Sequence, residues 1–430
     1  MKKVGIISLG CMKNRVDSEN ILGLFDRNGY EITNDPSDSD IIVINTCGFI
    51  ESSKKESIEN ILEMIQYGKK VVVTGCLAER YLEELKKEIP EVDLYIPIRD
   101  YSHFNEKLYL LDKEIDKSIG VDDEYRIVST GPYSAYLKIG EGCDNRCSYC
   151  AIPLIRGHFV SRPFDQIIKE AKELAEAGIK EIIVLEQDTT KYGIDLKEKK
   201  NIVDLLKELL KIEQFEYIRL LYLYPDEISD ELIELIGKEK KLTPYFDVPI
   251  QHSEDHILKD MYRRGDKKFL ISLFNKIREK VPNAILRTPV MVGFRGEKEE
   301  DIDNLISFMN EVKFDHLGAF TYSQEEGTPS ASFPNQIDEE IKKKRLAKVM
   351  KAQQKISYSL NKKHIGEVMR GMVIGKDDHG NYLLRSYWNA PDDVDGKIYF
   401  TSKKELHNGD MVFVKITGAF VYDLMGEEDE

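Results

Sequence analysis

A chain of 430 residues, 41% hydrophobic and 32% charged, has room for two or three domains with a highly charged surface. It contains no run of eighteen apolar residues, which excludes a membrane-spanning helix. Its formal net charge of −15 argues against a surface that grips phosphate backbones throughout, and would instead attract a strongly basic partner such as a ribosomal protein.

The start, Met1-Lys2-Lys3 with the apolar run Val4–Leu9 and then Gly10-Cys11, imitates a lipoprotein signal. The run is shorter than the ~7–15 residues of a signal core, so a buried first strand is the better reading. From there to about residue 110, strands alternate with helices. Strands are expected at Val4–Leu9, Ile41–Ile44, Val71–Val73 and Val92–Ile96, and helices over Asp17–Asn28, around Ile58–Ile65 and over 79–88. Strands apolar on both faces and joined by helices make an α/β domain, a flavodoxin-like parallel sheet with helices on both sides. Cys11, Cys47 and Cys76 each follow one of its first three strands. Ligands bind at the carboxyl edge of such a sheet, so the three are expected on one rim, as ligands of a metal cluster with an open corner.

A charged, poorly periodic connector over about 111–132 ends in Thr130-Gly131-Pro132 and reads as a boundary. Alternation then resumes. Strands are expected at Tyr136–Ile139, Glu181–Leu185, Tyr217–Leu221, Tyr245–Ile250, Ala284–Met291 and His316–Phe320. Helices are expected over Phe164–Ala177, Ile202–Leu210, Ile228–Leu235, Lys267–Val281 and Lys298–Glu311. Six such units fit a partial parallel (βα)6 barrel, fewer than the eight of a closed one. A long helix over Asp338–Lys363 closes the unit. After residue 364 short strands (Val368–Ile374, Tyr382–Tyr387, Lys397–Phe400, Met411–Ile416) separated by turns read as a small antiparallel β-barrel. From Ile365 onward seven Lys/Arg face thirteen Asp/Glu, a net of −6, and the tail Glu427–Glu430 reads as a solvated charge run. The expected domains are 1–115, a linker over 116–133, 134–363 and 364–430.

The loop after the first barrel strand carries Cys143, Cys147 and Cys150 in the spacing Cys-x3-Cys-x2-Cys. Three thiols are an odd number for a disulfide framework. Structural zinc wants four ligands, commonly from paired Cys-x-x-Cys knuckles, and no second knuckle is present. An iron–sulfur cubane has four corners, so three cysteines leave one iron open to a small molecule. Six cysteines in no even framework suit a reducing cytoplasm.

This loop, Gly140-Glu141-Gly142-Cys143-Asp144-Asn145-Arg146-Cys147-Ser148-Tyr149-Cys150, resembles the signature of the radical S-adenosylmethionine (radical-SAM) enzymes, with Tyr149 in the aromatic slot. Taken whole, the chain is similar to the methylthiotransferases of that superfamily, whose last module is a TRAM domain. Several stretches resemble the branch that modifies an aspartate on the twelfth protein of the small ribosomal subunit. Among them are Lys13-Asn14, Asp17-Ser18-Glu19, Asn45-Thr46-Cys47-Gly48, Arg156-Gly157, Gln187-Asp188-Thr189-Thr190, Gln251-His252 and Glu325-Glu326-Gly327-Thr328-Pro329. Arg295 stands where that family commonly has proline. The resemblance implies two [4Fe-4S] clusters, on Cys143, Cys147 and Cys150 and on Cys11, Cys47 and Cys76, with S-adenosyl-L-methionine on the first and an external electron donor. It implies that a 5′-deoxyadenosyl radical takes a hydrogen from the aspartyl β-carbon, and that the second cluster presents a methylated sulfur. Candidate cofactor contacts are Gln187, Asp188, Gln251 and Arg287, with Tyr149 near the adenine and Val292 in an apolar wall. No catalytic residue beyond the cluster ligands can be argued from spacing.

The acidic terminal module suits a basic protein substrate better than tRNA, for which an excess of Lys and Arg is expected. The readings left open are the same chemistry on a tRNA adenosine, a non-catalytic iron–sulfur or zinc protein that binds ribosomes, and a radical-SAM enzyme that drives a rearrangement.

Overall fold

A computed structural model describes residues 1–121, 125–391 and 394–429. Residues 122–124 of the expected linker and Glu430 of the expected charged tail lie outside the described residues. None of the described helices is long and apolar enough to cross a membrane.

The first five strands are β1 (Lys3–Ser8), β2 (Glu31–Ile32), β3 (Ile41–Thr46), β4 (Lys70–Gly75) and β5 (Leu94–Pro97). All pair in parallel in the order β2-β1-β3-β4-β5, the flavodoxin-like arrangement. Strand β2 is too short to carry a period and has no counterpart in the sequence reading. Helix α1 (Met12–Arg27) begins at Met12 rather than Asp17. Its first turns bury Lys13, Asn14, Asp17, Ser18 and Glu19, because the helix lies between the sheet and the next domain. Those polar residues break the apolar period that usually marks a helix start. Helix α2 (Glu51–Ile65) follows β3, and the helix expected over 79–88 is two: α3 (Cys76–Arg80) and Leu82–Glu88, which part at Tyr81.

The connector is packed rather than loose. Ile127 N–H donates to the Glu19 carbonyl at 3.1 Å, while the Glu19 carboxylate accepts from Arg126 and from Ser129 N–H, both at 2.8 Å.

Next come β6 (Ser134–Lys138), β7 (Gly140–Glu141), β8 (Val160–Ser161), β9 (Glu181–Leu185), β10 (Tyr217–Leu220), β11 (Tyr245–Asp247), β12 (Ile285–Val292) and β13 (His316–Thr321). Strands β6-β9-β10 and β11-β12-β13 form two parallel sheets, and β7 and β8 pair as a small separate ladder. The two sheets meet where Thr243 N–H donates to Ile218 O (3.0 Å) and Leu223 N–H to Asp247 O (2.8 Å). The result is an open six-stranded arc. Its outer face packs residues such as Ile182, Phe246 and Leu286 against the surrounding helices in the largest apolar core. The helix Glu339–Asn361 lies against β13, where the Gln353 amide donates to Phe314 O (2.8 Å).

The last five strands are β14 (Val368–Lys376), β15 (Tyr382–Ser386), β16 (Ile398–Thr401), β17 (Met411–Ala419) and β18 (Leu424–Glu428). They close into a barrel in the order β14-β15-β16-β18-β17. Strand β18, absent from the sequence reading, pairs antiparallel with β17 and parallel with β16. Glu427 and Glu428 therefore belong to a strand, with Glu427 exposed as expected of a solvated charge run. The Glu428 carboxylate accepts from Ser402 Oγ at 2.6 Å. A Gly-Glu-Glu stretch has low strand propensity, and barrel closure overrides it.

This small barrel covers the amino ends of the arc's strands. Tyr217 donates to Arg370 O (2.7 Å), Arg219 to Ser386 O (2.7 Å) and Tyr245 to Asp395 (2.6 Å), and the His316 ring meets Trp388 O (2.8 Å). Inward residues Tyr136, Ile183 and Tyr245 share one apolar cluster with Met369, Leu384 and Trp388. A cavity of about 460 Å³ remains at that seam, lined by residues such as His316, Asp395 and Asp423, and the carboxyl end of the arc with its loops is left uncovered by the barrel.

Candidate functional site

The carboxyl ends of β1, β3 and β4 lie side by side, and each runs into a cysteine. Gly10, at φ +88°, passes so close to Cys47 that a Cβ there would stand 2.9 Å from its sulfur. Only glycine fits. Asn14 ties the strand ends together by donating to Leu9 O and Thr46 O, both at 2.9 Å, and Asn45 donates to Asn14 O (2.8 Å) and Ser18 Oγ (2.9 Å).

The second triad sits in the loop after β7. At Gly142, φ +75°, a Cβ would come 2.0 Å from His158 O, so the loop enters its turn through glycine. Beyond it the loop is pinned from three sides. Cys143 N–H donates to Gly157 O (3.2 Å), Ser148 N–H to Met261 O (3.0 Å), and Ser330 N–H to Ser148 O (2.8 Å).

All six cysteines line one cavity of about 510 Å³ between the amino-terminal sheet and the arc. All six are free thiols. Burial pushes the Cys143 thiol up to about 11 and the Cys76 and Cys150 thiols up to about 12, and it raises Cys47 too. Each is a neutral donor until a metal displaces its proton. Two separate sets of three soft donors around one cavity fit two iron–sulfur clusters, each with a free corner. They do not make a four-cysteine zinc site.

Of the other sequence candidates, Tyr149, Gln187, Gln251 and Arg287 line the same cavity. Both polar atoms of the Gln187 amide and Oε1 of Gln251 are buried without a hydrogen-bond partner. Such groups are costly unless a ligand completes them, which fits a polar cofactor there. Arg287 is paired with Asp247 at 2.7 Å. Asp188 lies behind the wall, accepting from Thr190 and, at 2.7 Å, from Asn145 of the triple-cysteine loop. Val292 is fully buried in the outer apolar core and does not line the cavity. His252 and His256, at His-x3-His spacing, do not line it either; they face Glu297 and Asp301.

Several residues in and around the wall were not among the cofactor candidates, although Lys13, Arg156 and Glu325 fall in stretches that carry the family resemblance. Tyr222, Tyr224 and Arg263 line the cavity, with Arg263 stacked 4.0 Å over Tyr224 and its guanidinium 3.8 Å from the Cys147 sulfur. Arg156 pairs with Glu141 (2.9 Å) of its own domain and reaches across the domain boundary to Asp17 (2.6 Å) and to within 3.6 Å of the Cys76 sulfur. Lys13 extends from the first turn of α1 into the same space. Further out, Glu325 joins the domains through Arg80 (2.8 Å) and Lys54 (3.1 Å). Arg295 pairs with Asp260 at 2.6 Å and stacks on Phe333.

Three family models match the chain: uncharacterized protein family UPF0004 over residues 3–97, the radical SAM superfamily over 137–309 and the TRAM domain over 365–428. Similar full-length relatives include the ribosomal protein uS12 methylthiotransferase RimO of Alkaliphilus oremlandii, 47% identical over 99% of this chain and 98% of the relative. Those of Clostridioides difficile and Caldicellulosiruptor saccharolyticus are each 46% identical, over 99% of this chain and 99% and 100% of theirs. Among solved structures, the radical S-adenosylmethionine methyltransferase TsrM of Kitasatospora setae superposes with a TM-score of 0.57 over 90% of this chain and 87% of that one. At 13% identity that likeness is one of fold.

Proposed function

Because this chain belongs to the ribosomal protein uS12 methylthiotransferase family, we propose that it adds a methylthio group to the β-carbon of an aspartyl side chain of uS12. Cys143, Cys147 and Cys150 hold one [4Fe-4S] cluster, and Cys11, Cys47 and Cys76 hold the other. The observation that carries this reading is the single cavity lined by both triads, which lets a hydrogen be removed and a sulfur be delivered without the substrate leaving.

The β C–H bond offers no acidic proton to acid–base catalysis. When bound, S-adenosylmethionine and the two clusters supply the hydrogen-abstracting radical and the methylated sulfur. The chain's own residues bind, orient and shield. Gln187 and Gln251 present unpartnered amide groups to the cofactor, and Tyr149 offers an aromatic face beside the triple-cysteine loop. Asn145, held by Asp188, fixes that loop from behind. Arg156 fixes the amino-terminal triad relative to it by spanning Asp17 and Glu141. Tyr222, Tyr224 and Pro289 give the cavity an apolar lining that keeps water from a reactive carbon. The acidic carboxyl-terminal module favours encounter with a basic ribosomal protein.

The test is an anaerobic reaction of the reconstituted protein with reductant, S-adenosylmethionine and a uS12 peptide, read by mass. A methylthio adduct on the aspartate is expected. Loss of the tRNA methylthio mark alone from a deletion strain, with uS12 unchanged, would move the substrate to tRNA.

A further inference from the structure

The cavity wall carries four cations: two are paired with carboxylates, and a third with a ring and a close backbone carbonyl. Arg156 faces Asp17 and Glu141, Arg287 faces Asp247, and Arg263 lies over Tyr224 and donates to Pro249 O. Lys13 differs. It is 6% exposed, yet among the described residues no carboxylate lies within 4.0 Å of its ammonium. Its nearest partners are a long contact to the Glu186 carbonyl, 3.5 Å, and the Tyr222 ring, 3.8 Å to the centroid. The Glu186 and Glu141 carboxylates act on it only from beyond 4.0 Å, and a buried ammonium with no anion in contact lowers its desolvation cost by taking one.

The backbone around it points the same way. Lys13 stands in the first turn of α1, a helix of 16 residues whose N-cap, Cys11, makes no side-chain cap. Gly10, Cys11, Lys13 and Asn14 all line the cavity. An uncapped helix amino end adds free N–H groups and a partial positive charge at that wall.

We propose that Lys13 is the residue that recognises the side-chain carboxylate of the target aspartate and so sets the enzyme's choice of acceptor. This rests on the uS12-aspartate reading above. The reacting β-carbon is bonded directly to the carboxyl carbon. An ammonium two residues along the chain from Cys11 would hold the carboxylate on the sulfur-bearing side of the cavity and turn the β-carbon towards the triple-cysteine loop. An asparagine or alanine in the same peptide leaves the ammonium unmatched, so discrimination comes from an unpaired buried charge as much as from a lost contact.

The test uses the reconstituted full chain under anaerobic conditions, unsubstituted and as Lys13→Met and Lys13→Arg, with labelled basic peptides identical except for Asp, Asn or Ala at the target position. Affinity is read by fluorescence anisotropy, and iron is counted in the same samples. The unsubstituted protein is expected to bind the Asp peptide about ten-fold or more tightly than the Asn and Ala peptides, the size of one charge-assisted hydrogen bond. Lys13→Met should abolish that preference with its iron content unchanged, and Lys13→Arg should keep part of it. Equal preference in Lys13→Met, equal losses in the Met and Arg variants, or no preference in the unsubstituted protein overturns the proposal. So does loss of about half the iron in Lys13→Met, which would make the lysine a counter-charge for the amino-terminal cluster. The uS12 reading fails separately, if the Asp peptide gains no methylthio mass whatever its affinity.

Discussion

At the scale of single residues, the two triads are chemically alike but their removal is not equivalent. Cys76→Ala takes one of three donors from the amino-terminal rim and leaves the loop of Cys143, Cys147 and Cys150 intact. That variant is expected to retain about four irons per chain instead of about eight and to give no methylthio product while still cleaving S-adenosylmethionine. Cys147→Ala is expected to lose the other four and all cleavage. Iron and sulfide analysis with product quantitation separates the two cases. The cysteines were legible in the sequence because each follows an apolar strand or sits in a specific spacing. Of the wall around them, Tyr149, Gln187, Gln251 and Arg287 were named and the rest was not. Lys13 and Arg156 are residue types that usually lie in solvent, and nothing local says that a second domain buries them. Val292 shows the converse. It ends an apolar strand near the site, but its side chain faces the outer core, and strand alternation cannot tell the two faces apart when both are buried.

At the scale of elements, α1 does most to join the two halves. Its Asp17 carboxylate accepts from Arg156 (2.6 Å) and Lys138 (2.7 Å), and both cations come from the neighbouring domain. Burial alone would raise the Asp17 carboxyl, and the two cations overcome this and hold it below its ordinary value. Removing one member leaves buried charge unmatched. Arg156→Ala is therefore expected to destabilise the chain by about 3–5 kcal/mol and to loosen the amino-terminal domain. Differential scanning calorimetry with limited proteolysis of the connector near Arg126 would show it. Arg156→Lys should do less harm to stability, but it cannot span two carboxylates with a planar fork. The same burial explains why the start of α1 was read late, at Asp17. The parallel strands were easier, since Ile41–Ile44 and Val71–Val73 are apolar throughout. Strand β18 was missed because barrel closure, not its own composition, makes Leu424–Glu428 extended.

At the scale of the whole molecule, the net charge of −15 predicts how the protein meets its substrate. Between 0.05 and 0.3 M salt the association rate with a basic uS12 peptide should fall several-fold while dissociation changes little, measured by stopped flow. The docking of the small barrel is a separate matter, and Trp388 reports it. It is the chain's only tryptophan, it is fully buried, and its ring lies edge-on to His316. Beside it Asp395 accepts from Tyr245 at 2.6 Å and lies 3.8 Å from Arg287 and 3.9 Å from His316. Burial alone would raise the Asp395 carboxyl, but the His316 and Arg287 charges and the Tyr245 hydroxyl more than offset it and leave it below its ordinary value. A carboxyl held low in the folded chain contributes stability that is complete above its unfolded value near 3.8 and is lost as pH falls through the lower folded one. Metal-free protein taken from pH 7 to pH 3 should therefore show a red shift of tryptophan emission below about pH 4, as the barrel leaves the arc and Trp388 meets water. Asp395→Asn should start from a less stable docked state, with the low-pH step reduced. An unchanged acid profile in that variant would assign the docking to the apolar surface around Trp388, Met369 and Tyr245 rather than to the charges at its edge.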